Sequence, residues 1–371
     1  MEKEEKIIAT TTSASIFKTP TPIKIDDPKE TYLPMLHGKA TDAIASMAGQ
    51  PLEKNKITNT ASITRQEVKL VLDTVTKLAG TLGVSTHKLL STAIANFTAN
   101  NHTGSGERKL RTLEASFPLK EYAFRCGYDV KEHETHTPEE VEKEKKRAKN
   151  ALDKARKKVN KDLNILYRAS ISWKEKVRGK EQDYEDVRII QGKGIRTGII
   201  KITFSNRFAE YLLKLPLTQY PPALLGIDER NQNAYTMALK MSEHFNLDNN
   251  QRKGTAQLLK VKTLLQYTSF PDVNHPTVKK TGWKARIKEP FEIALDALTA
   301  CGLLEQNDGW YYCKSKGIRL TDEEAYNFIS YENWAETLIH FTLIDAPNHT
   351  ARLEAKELTP KQIPQRKKGK Q

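Results

Sequence analysis

Residues 63–100 carry hydrophobic positions at helical spacing. In 63–78 they stand mostly three or four residues apart, which predicts one buried helix face: Val68, Val71, Leu72, Val75 and Leu78. Thr64, three residues before Glu67, has the pattern of a capping box. After the turn at 80–83, residues 85–100 repeat the helical pattern. Two helices joined by a glycine-containing turn open a helix-turn-helix unit, although any pair of antiparallel helices gives the same pattern.

The remainder of the first half predicts a long helix followed by a hairpin. Residues 110–117 read as a strand, and Pro118 begins a short helix. Thr137-Pro138-Glu139-Glu140 predicts a helix start ahead of a long basic helix over 143–161. The buried stripe of this helix continues to Leu163: Ala148, Ala151, Leu152, Ala155, Val159 and Leu163. Residues 165–173 then predict a strand, and 184–190 and 198–204 predict a hairpin around a turn at 191–194. We call such a hairpin a wing.

The second half repeats the order of helices and wing. Residues 231–245 and 261–267 predict two helices, and a third follows after a basic segment at 279–288. Its buried positions are Ile287, Phe291, Ala294, Leu295 and Leu298. Asn307-Asp308-Gly309 between short apolar runs predicts a hairpin, because glycine supplies the positive φ of such turns. The pattern fits a reading helix and a wing, or a core helix with an ordinary hairpin.

These elements predict an α+β protein, mainly helical, with two tandem domains. Residues 1–62 are rich in Thr, Ser, Pro and Lys and predict a disordered tail, with a short helix at 42–47. The proline-rich junction at 216–226 separates domains at 63–218 and 219–345. Residues 346–371 predict a disordered basic tail.

Charge suggests a polyanionic partner. The chain has 60 Lys and Arg against 46 Asp and Glu, which gives a net charge of +14 and a pI near 9.4. No apolar run reaches the roughly 18 residues of a membrane span, and the first fifteen residues lack the apolar core of a signal peptide. Three scattered cysteines, Cys126, Cys301 and Cys313, are typical of a reducing compartment. We therefore expect a cytoplasmic protein that makes no membrane contact.

The positive charge is concentrated in residues 143–161, which hold ten Lys or Arg and only Glu144 and Asp153 as acids. No ladder of i, i+4 ion pairs neutralises this face, which favours phosphate contact over a merely solvated surface. The predicted phosphate-binding residues of this helix are Lys145, Lys146, Arg147, Lys149, Lys154, Arg156, Lys157 and Lys158.

No catalytic, cofactor or metal motif is evident. The chain lacks GxxxxGK[ST], and Gly192-x-Gly194 lies between two predicted strands rather than at a strand-to-helix turn. His133-Glu134-Thr135-His136 falls one residue short of the HExxH spacing. His349-x-x-Arg352 is followed by no tyrosine that could act as a recombinase nucleophile. We expect no enzyme activity, no cofactor and no metal.

Taken together, the two halves resemble plasmid replication initiators with tandem winged-helix domains that bind origin repeats, especially those of Firmicutes plasmids and conjugative elements. In the first half the resemblance rests on PLKEYAFRCG, the basic helix and GIIKITFSNRFAEYLL. In the second half it rests on NAYTMALKMSEHFNL, KVKTLLQY and WKARIKEPFEIALDAL. It covers roughly residues 63–320.

In that family the C-terminal winged helix reads bases with its third helix, and the N-terminal one supports dimerisation and backbone contact. The resemblance therefore implies base readers at Lys280, Trp283, Lys284, Arg286 and Lys288. It implies further phosphate binders on the wings, including Arg188, Lys193 and Arg196. Pro290 departs from a simple reading helix, because the helix must begin near Glu289 or kink there. A start at Glu289 would leave Lys284 and Arg286 on a loop.

The implied function is replication initiation at repeated DNA sites, with homodimerisation and recruitment of a host initiator or helicase. A winged-helix repressor or autoregulator is the first alternative. A nuclease or primase and a basic protein scaffold are weaker alternatives.

Overall fold

The computed structural model describes residues 33–55, 60–65, 67–73, 82–101, 109–131, 137–177, 180–215, 217–247, 250 and 253–344. About half of its residues are helical and about a quarter lie in strands, which confirms an α+β protein. The helices are α1 Lys39–Met47, α2 Val84–Asn100, α3 Leu119–Arg125, α4 Pro138–Tyr167, α5 Asn206–Leu212, α6 Gln232–Asn246, α7 Val261–Leu265, α8 Pro276–Thr281, α9 Glu289–Ala300, α10 Asp322–Tyr326 and α11 Tyr331–Glu336. No helix in these ranges is long and apolar enough to cross a membrane.

The strands form antiparallel sheets. They are β1 Leu33–Leu36, β2 Glu53–Asn55, β3 Thr60–Arg65, β4 Val68–Asp73, β5 Glu114–Pro118, β6 Ala169–Val177, β7 Lys180–Arg188, β8 Ile190–Arg196, β9 Ile199–Phe204, β10 Leu217–Tyr220, β11 Leu258–Lys260, β12 Trp310–Cys313 and β13 Leu338–Phe341. The sheet orders are β1-β10, β2-β3-β4-β6-β7, β5-β9-β8 and β11-β13-β12. Two 3-10 turns lie at Pro222–Gly226 and Ser315–Gly317, and a π-helical turn lies at Lys284–Lys288.

Much of the segment predicted to be disordered at 1–62 is folded. Within it the structure places β1, α1, β2 and the start of β3, so the prediction was wrong there. The short helix predicted at 42–47 lies inside α1, whose Ala40, Ala43, Ile44 and Met47 are buried. Small alanines gave this buried face a weak hydrophobic signal. Residues 1–32 and 345–371, where the predicted tails mainly fall, lie outside the described ranges.

The helix predicted from residue 64 is wrong for 64–73. These residues form the hairpin of β3 and β4, with Glu67 at φ 62° in its turn. Val68, Leu70 and Leu72 are buried at alternate positions, which is the two-residue period of a strand. Some hydrophobic residues of this segment also stand three or four positions apart, which suggested a helix. The strand is instead stabilised by the pairing of β4 with β6, about a hundred residues away, which a local pattern does not reveal. The rest of that helix, 74–78, is not described.

The wing of the first half is shifted along the chain from its predicted position. β8 pairs with β9, and the turn falls at Thr197-Gly198, both at positive φ, rather than at 191–194. Gly192 lies inside β8, where a Cβ atom would come within 2.8 Å of Thr203. The predicted first arm, 184–190, belongs mostly to β7, which pairs with β6. The strand predicted at 165–173 is confirmed for 169–173, which begin β6, whereas its first three residues are helical because α4 runs to Tyr167.

The hairpin predicted around Asn307-Asp308-Gly309 is also wrong. Leu304 before this turn bridges to Leu343, and β12 after it pairs with β13. Between β12 and β13 stands a 24-residue insertion, 314–337, which contains α10 and α11. The partner strand is therefore far along the chain, so the local turn signal identified the turn but not the pairing.

The two halves share one order of elements. In the first, helix α2, strand β5, helices α3 and α4, and strands β8 and β9 succeed one another; in the second, α6, β11, α7, α9, β12 and β13 do so. Their three strands pair in the same pattern, with the last strand in the middle: β5-β9-β8 and β11-β13-β12. We call these sets the first module and the second module. The strands β6 and β7 are inserted in the first, and α8 and residues 314–337 in the second.

Two hydrophobic cores underlie the modules, and they meet along α2. The first core spans residues 36–215, and the second spans 220–343 together with Ala48 and Val84. Lys88 is fully buried between them, and its ammonium group donates to the carbonyl oxygens of Leu225, at 2.8 Å, and of Ile227. Burial lowers the pKa of Lys88. The pairing of β1 with β10 adds a second link between the start of the fold and the junction.

Candidate nucleic-acid interface

Helix α4 is fixed at its start by a cap and along its length by a buried stripe. Thr137 accepts a hydrogen bond from the backbone N–H of Glu140, whose carboxylate accepts from the N–H of Thr137, as the capping-box pattern requires. Pro138 occupies the first turn, where its missing N–H costs nothing. The buried side chains facing the first module are Ala148, Ala155, Val159, Leu163 and Leu166. This docking leaves the opposite side of a 30-residue helix open to solvent.

Asp162 ties α4 to the start of α2. Its carboxylate is buried and accepts hydrogen bonds from the hydroxyls of Ser85, at 3.1 Å, and Thr86, at 2.8 Å. Burial raises the pKa of Asp162 to about 6, although the two hydroxyl donors oppose the rise. The basic helix is therefore held by a carboxylate whose charged form is costly to bury.

The Asp162→Asn variant should change how stability depends on pH. Because the pKa of Asp162 is higher in the folded state, its contribution to the free energy of unfolding is greatest below its unfolded-state pKa, near 4. That contribution becomes smaller as the pH rises through the folded-state pKa, near 6. The difference of about two pKa units corresponds to roughly 3 kcal/mol at most. We expect the unfolding free energy of the variant, relative to wild type, to rise by up to that amount between pH 4 and pH 7.

Urea unfolding of both proteins at pH 4, 5, 6 and 7 measures this difference. The buried His87, whose pKa falls to about 4, titrates in both proteins and cancels in the comparison. A difference that stays constant across this range would contradict the prediction.

Six of the eight predicted phosphate binders on α4 are exposed and carry no side-chain partner within the described ranges: Lys145, Lys146, Lys149, Lys154, Arg156 and Lys157. Arg147 instead pairs with Glu144, at 2.8 Å, and with Asp129, and donates to the carbonyl oxygen of Lys131. Lys158 pairs with Glu229 at 3.2 Å. These ion pairs help to position the helix, and the assignment of Arg147 and Lys158 as phosphate binders stays a prediction.

The predicted wing cations of the first module, Arg188, Lys193 and Arg196, are exposed. Lys193 on β8 donates to the side-chain oxygen of Asn164 and lies 5.4 Å from the ring centre of Tyr167. Arg196 precedes the Thr197-Gly198 turn, and Arg188 ends β7 just before β8. Lys193 therefore extends the basic surface of α4.

In the second module, the structure shows whether the helix begins at Glu289 or includes the residues before Pro290. Residues 283–300 are continuously helical, and the π-helical turn at 284–288 lets the N–H of Glu289 bond to the carbonyl oxygen of Lys284. The wider turn accommodates a proline that cannot make the usual bond. Lys284 and Arg286 are therefore exposed on a helical turn rather than on a loop. Lys280 is exposed at the end of α8, and Arg286 donates to the hydroxyl of Thr281 at 2.9 Å.

Two of the five residues predicted to read bases make contacts with other side chains of the protein. Trp283 packs against Trp334, with ring centres 5.4 Å apart, and against Tyr331 at 5.9 Å. Lys288 is only 7% exposed and pairs with Glu292 at 2.9 Å. The structure thus places both side chains in contacts within the protein, and their assignment as base readers stays a prediction.

The outward side of α9 is not basic. Glu289, Ile293, Asp296 and Ala300 are exposed along it, and Ile293 is 64% exposed. The insertion at 314–337 holds five acidic residues against three basic ones, so it does not supply the basic wing that was predicted. Of the five residues predicted to read bases in the second module, the exposed ones are Lys280, Lys284 and Arg286.

Reasoning from charge alone missed three polar residues on the open side of α4. Asn150, Asp153 and Asn160 are exposed between the free cations and have no side-chain partner within the described ranges. A helical projection of the sequence would have found them, since they lie opposite the buried stripe. Amide and carboxylate groups can hydrogen-bond base edges, whereas lysines alone mainly bind phosphate.

Across the residues that the structure places, no group of three or more His, Cys, Asp or Glu side chains is arranged to hold a metal ion. The His133-to-His136 segment is not among them. Comparison of the chain with protein-family models, curated proteins and solved structures finds no match.

Proposed function

We propose that this protein binds double-stranded DNA through two tandem winged-helix modules and initiates replication at repeated origin sequences of a plasmid or mobile element. The observation that carries the proposal is the free basic side of α4 within a module whose element order the second module repeats. Helix, strand, two helices and a two-stranded wing is the order expected of a winged helix, and α4 is the third helix of that order.

Electrostatics favours DNA as the partner. Eight cations without a partner among the described residues are exposed on α4 over about 27 Å of helix axis: Lys143, Lys145, Lys146, Lys149, Lys154, Arg156, Lys157 and Lys161. Such a surface displaces counterions from nucleic acid, so affinity falls steeply with salt. Exposed cations at Lys279, Lys280 and Lys284 offer a second, smaller contact.

The step from DNA binding to initiation rests on the resemblance to plasmid initiators. It includes action in the cytoplasm as a homodimer, opening of an adjacent AT-rich duplex and recruitment of a host initiator or helicase. A repressor of the same fold would share the binding but not the opening.

A nuclease footprint on DNA flanking the protein's own gene tests the proposal. We expect protection over direct repeats, weaker at 200 mM than at 50 mM salt, because phosphate contacts dominate the affinity. The Lys284→Ala/Arg286→Ala variant should lose part of the protection, since both side chains are exposed at the second module. Uniform protection of all DNA, unchanged in the variant and erased by salt, would contradict sequence-directed binding.

Permanganate probing of the same DNA separates the two functions. Reactive thymines beside the protected repeats support initiation, and protected repeats without them support a regulator. Strand cleavage in the presence of Mg²⁺ would instead indicate a nuclease.

A further inference from the structure

The open side of α4 carries three parallel rows of side chains. Successive residues of a helix are rotated by about 100°, so spacing fixes the direction of each side chain. The middle row contains Lys146, Asn150, Asp153, Lys157, Asn160 and Asn164. One flanking row contains Lys145, Lys149 and Arg156, and the other contains Lys143, Lys154 and Lys161. The flanking rows are purely cationic, whereas most of the middle row is not.

The lateral separation of the rows suits a helix lying in the major groove. The flanking rows point roughly 70° to either side of the middle row, by the rotation of the helix. A helix is about as wide as the major groove of B-DNA, roughly 12 Å. Cations on both flanks would then meet the phosphates of both strands, and the middle row would face the base edges.

The free side chains of the middle row have the right chemistry for base edges. An asparagine amide can bond adenine through its N6 and N7 atoms, and a carboxylate can accept from the N4 amino group of cytosine. Asn150, Asp153 and Asn160 are exposed and unpartnered in the described part of the chain. The carboxylate of Asp153 cannot bind a DNA phosphate favourably, because both groups are negatively charged. A hydrogen bond from the N4 amino group of cytosine would be favourable for it.

The second module is less suited to reading sequence. Trp283 and Lys288 are occupied in its core, and the outward side of α9 presents Glu289, Ile293 and Asp296. Two carboxylates and an exposed isoleucine along this side disfavour a deep groove contact. This distribution is the reverse of what the resemblance to plasmid initiators implies.

We propose that α4 of the first module is the main sequence-reading helix, with Asn150 and Asn160 contacting adenines and Asp153 contacting a cytosine. Along the helix axis Asp153 lies about 4.5 Å from Asn150 and about 10.5 Å from Asn160. At 3.4 Å per base pair these distances are about one and three steps. The site contains an adenine, a cytosine one step on and an adenine about three steps further. The inference rests on the proposed binding of double-stranded DNA.

Selection of bound sequences from random duplexes by the full chain tests this inference. We expect the wild type to enrich the adenine–cytosine–adenine spacing. The Asn150→Ala/Asn160→Ala variant should lose about five- to hundredfold preference at each adenine. Its binding to unselected DNA should stay within about twofold of wild type, because no charge is removed.

Asp153→Asn gives a sharper result, because the new amide should change the preferred cytosine to adenine at its position without weakening the other two. Circular dichroism of each variant verifies that the helix is intact. Lys284→Ala/Arg286→Ala serves as the comparison at the second module and should keep the same three-base preference.

The possible failures are distinguishable. An unchanged sequence preference in the Asn150→Ala/Asn160→Ala and Asp153→Asn variants would overturn the inference and leave DNA binding intact. Salt-dependent binding without any enriched sequence in the wild type would overturn it as well. Absence of duplex binding by the wild type would overturn the proposed function itself.

Discussion

Replacing Lys145, Lys149, Lys154 and Lys161 together by alanine is expected to weaken binding to duplex DNA by about 10²- to 10⁴-fold at 0.1 M salt. All four side chains are exposed and unpaired in the described structure, so none has a second role to lose. If each neutralises one phosphate, the slope of log K against log salt concentration falls in magnitude by about 3.6. Fluorescence anisotropy of a labelled duplex at 50, 100 and 200 mM salt measures both quantities.

A matched control removes the same charge elsewhere. Lys54, Lys69, Lys214 and Lys253 are also exposed but lie outside α4 and the wing of the first module. Their joint replacement by alanine should leave the slope within about one unit of wild type. Equal loss of affinity in the two variants would mean that net charge, rather than the α4 surface, governs binding.

Trp334→Ala is expected to lower the free energy of unfolding by about 3–5 kcal/mol, the usual range for removing a buried tryptophan. Trp334 is fully buried, and its indole N–H donates to the hydroxyl of Tyr312 at 2.9 Å. Its ring centre lies 5.3 Å from that of Phe291 on α9 and 5.4 Å from that of Trp283. The variant loses this packing and leaves the Tyr312 hydroxyl without its donor. Chemical unfolding followed by circular dichroism gives the value.

Trp310→Ala provides the comparison for this change. Trp310 is half-buried on β12, and its indole N–H reaches only the carboxylate of Asp296, near the surface. We expect a loss of about 1–2 kcal/mol, in proportion to the smaller apolar area removed from water. Similar losses in the two variants would show that the aromatic cluster around Trp334 does not dominate the second core.

Local signals predicted the features that are decided locally. Helix α4 combined a cap at Thr137 with a buried stripe sustained over four turns, so its position and docked side followed from the sequence. Thr321 and Glu324 likewise form the capping box that begins α10. The ion pair of Lys288 with Glu292 could also have been foreseen, because Glu292 stands four residues later on the same helix face.

Non-local pairing explains most of the errors in the fold. The pairing of Leu70 with Ile171 makes 68–73 a strand, and that of Tyr312 with Ile339 sends β12 to a distant partner. In the same way, Trp334 decides that Trp283 packs inward from 51 positions away. A sequence window of helix length contains none of these partners. The exposed positions of Asn150, Asp153 and Asn160 could have been predicted from a helical projection of the sequence. They were missed because only cations were sought.

The second core includes Ala48 and Val84, which the chain supplies long before the second module begins. The second module therefore does not contain its whole core, and recombination at residue 219 would separate it from these two side chains. A second half taken from another protein would have to pack against a surface of α2 that complements different side chains. It would also have to supply carbonyl oxygens at the junction for the buried ammonium group of Lys88. Exchange would be tolerated only if α1, α2 and the junction travelled with it. The two halves must consequently evolve as one inherited unit, although they repeat a single architectural plan.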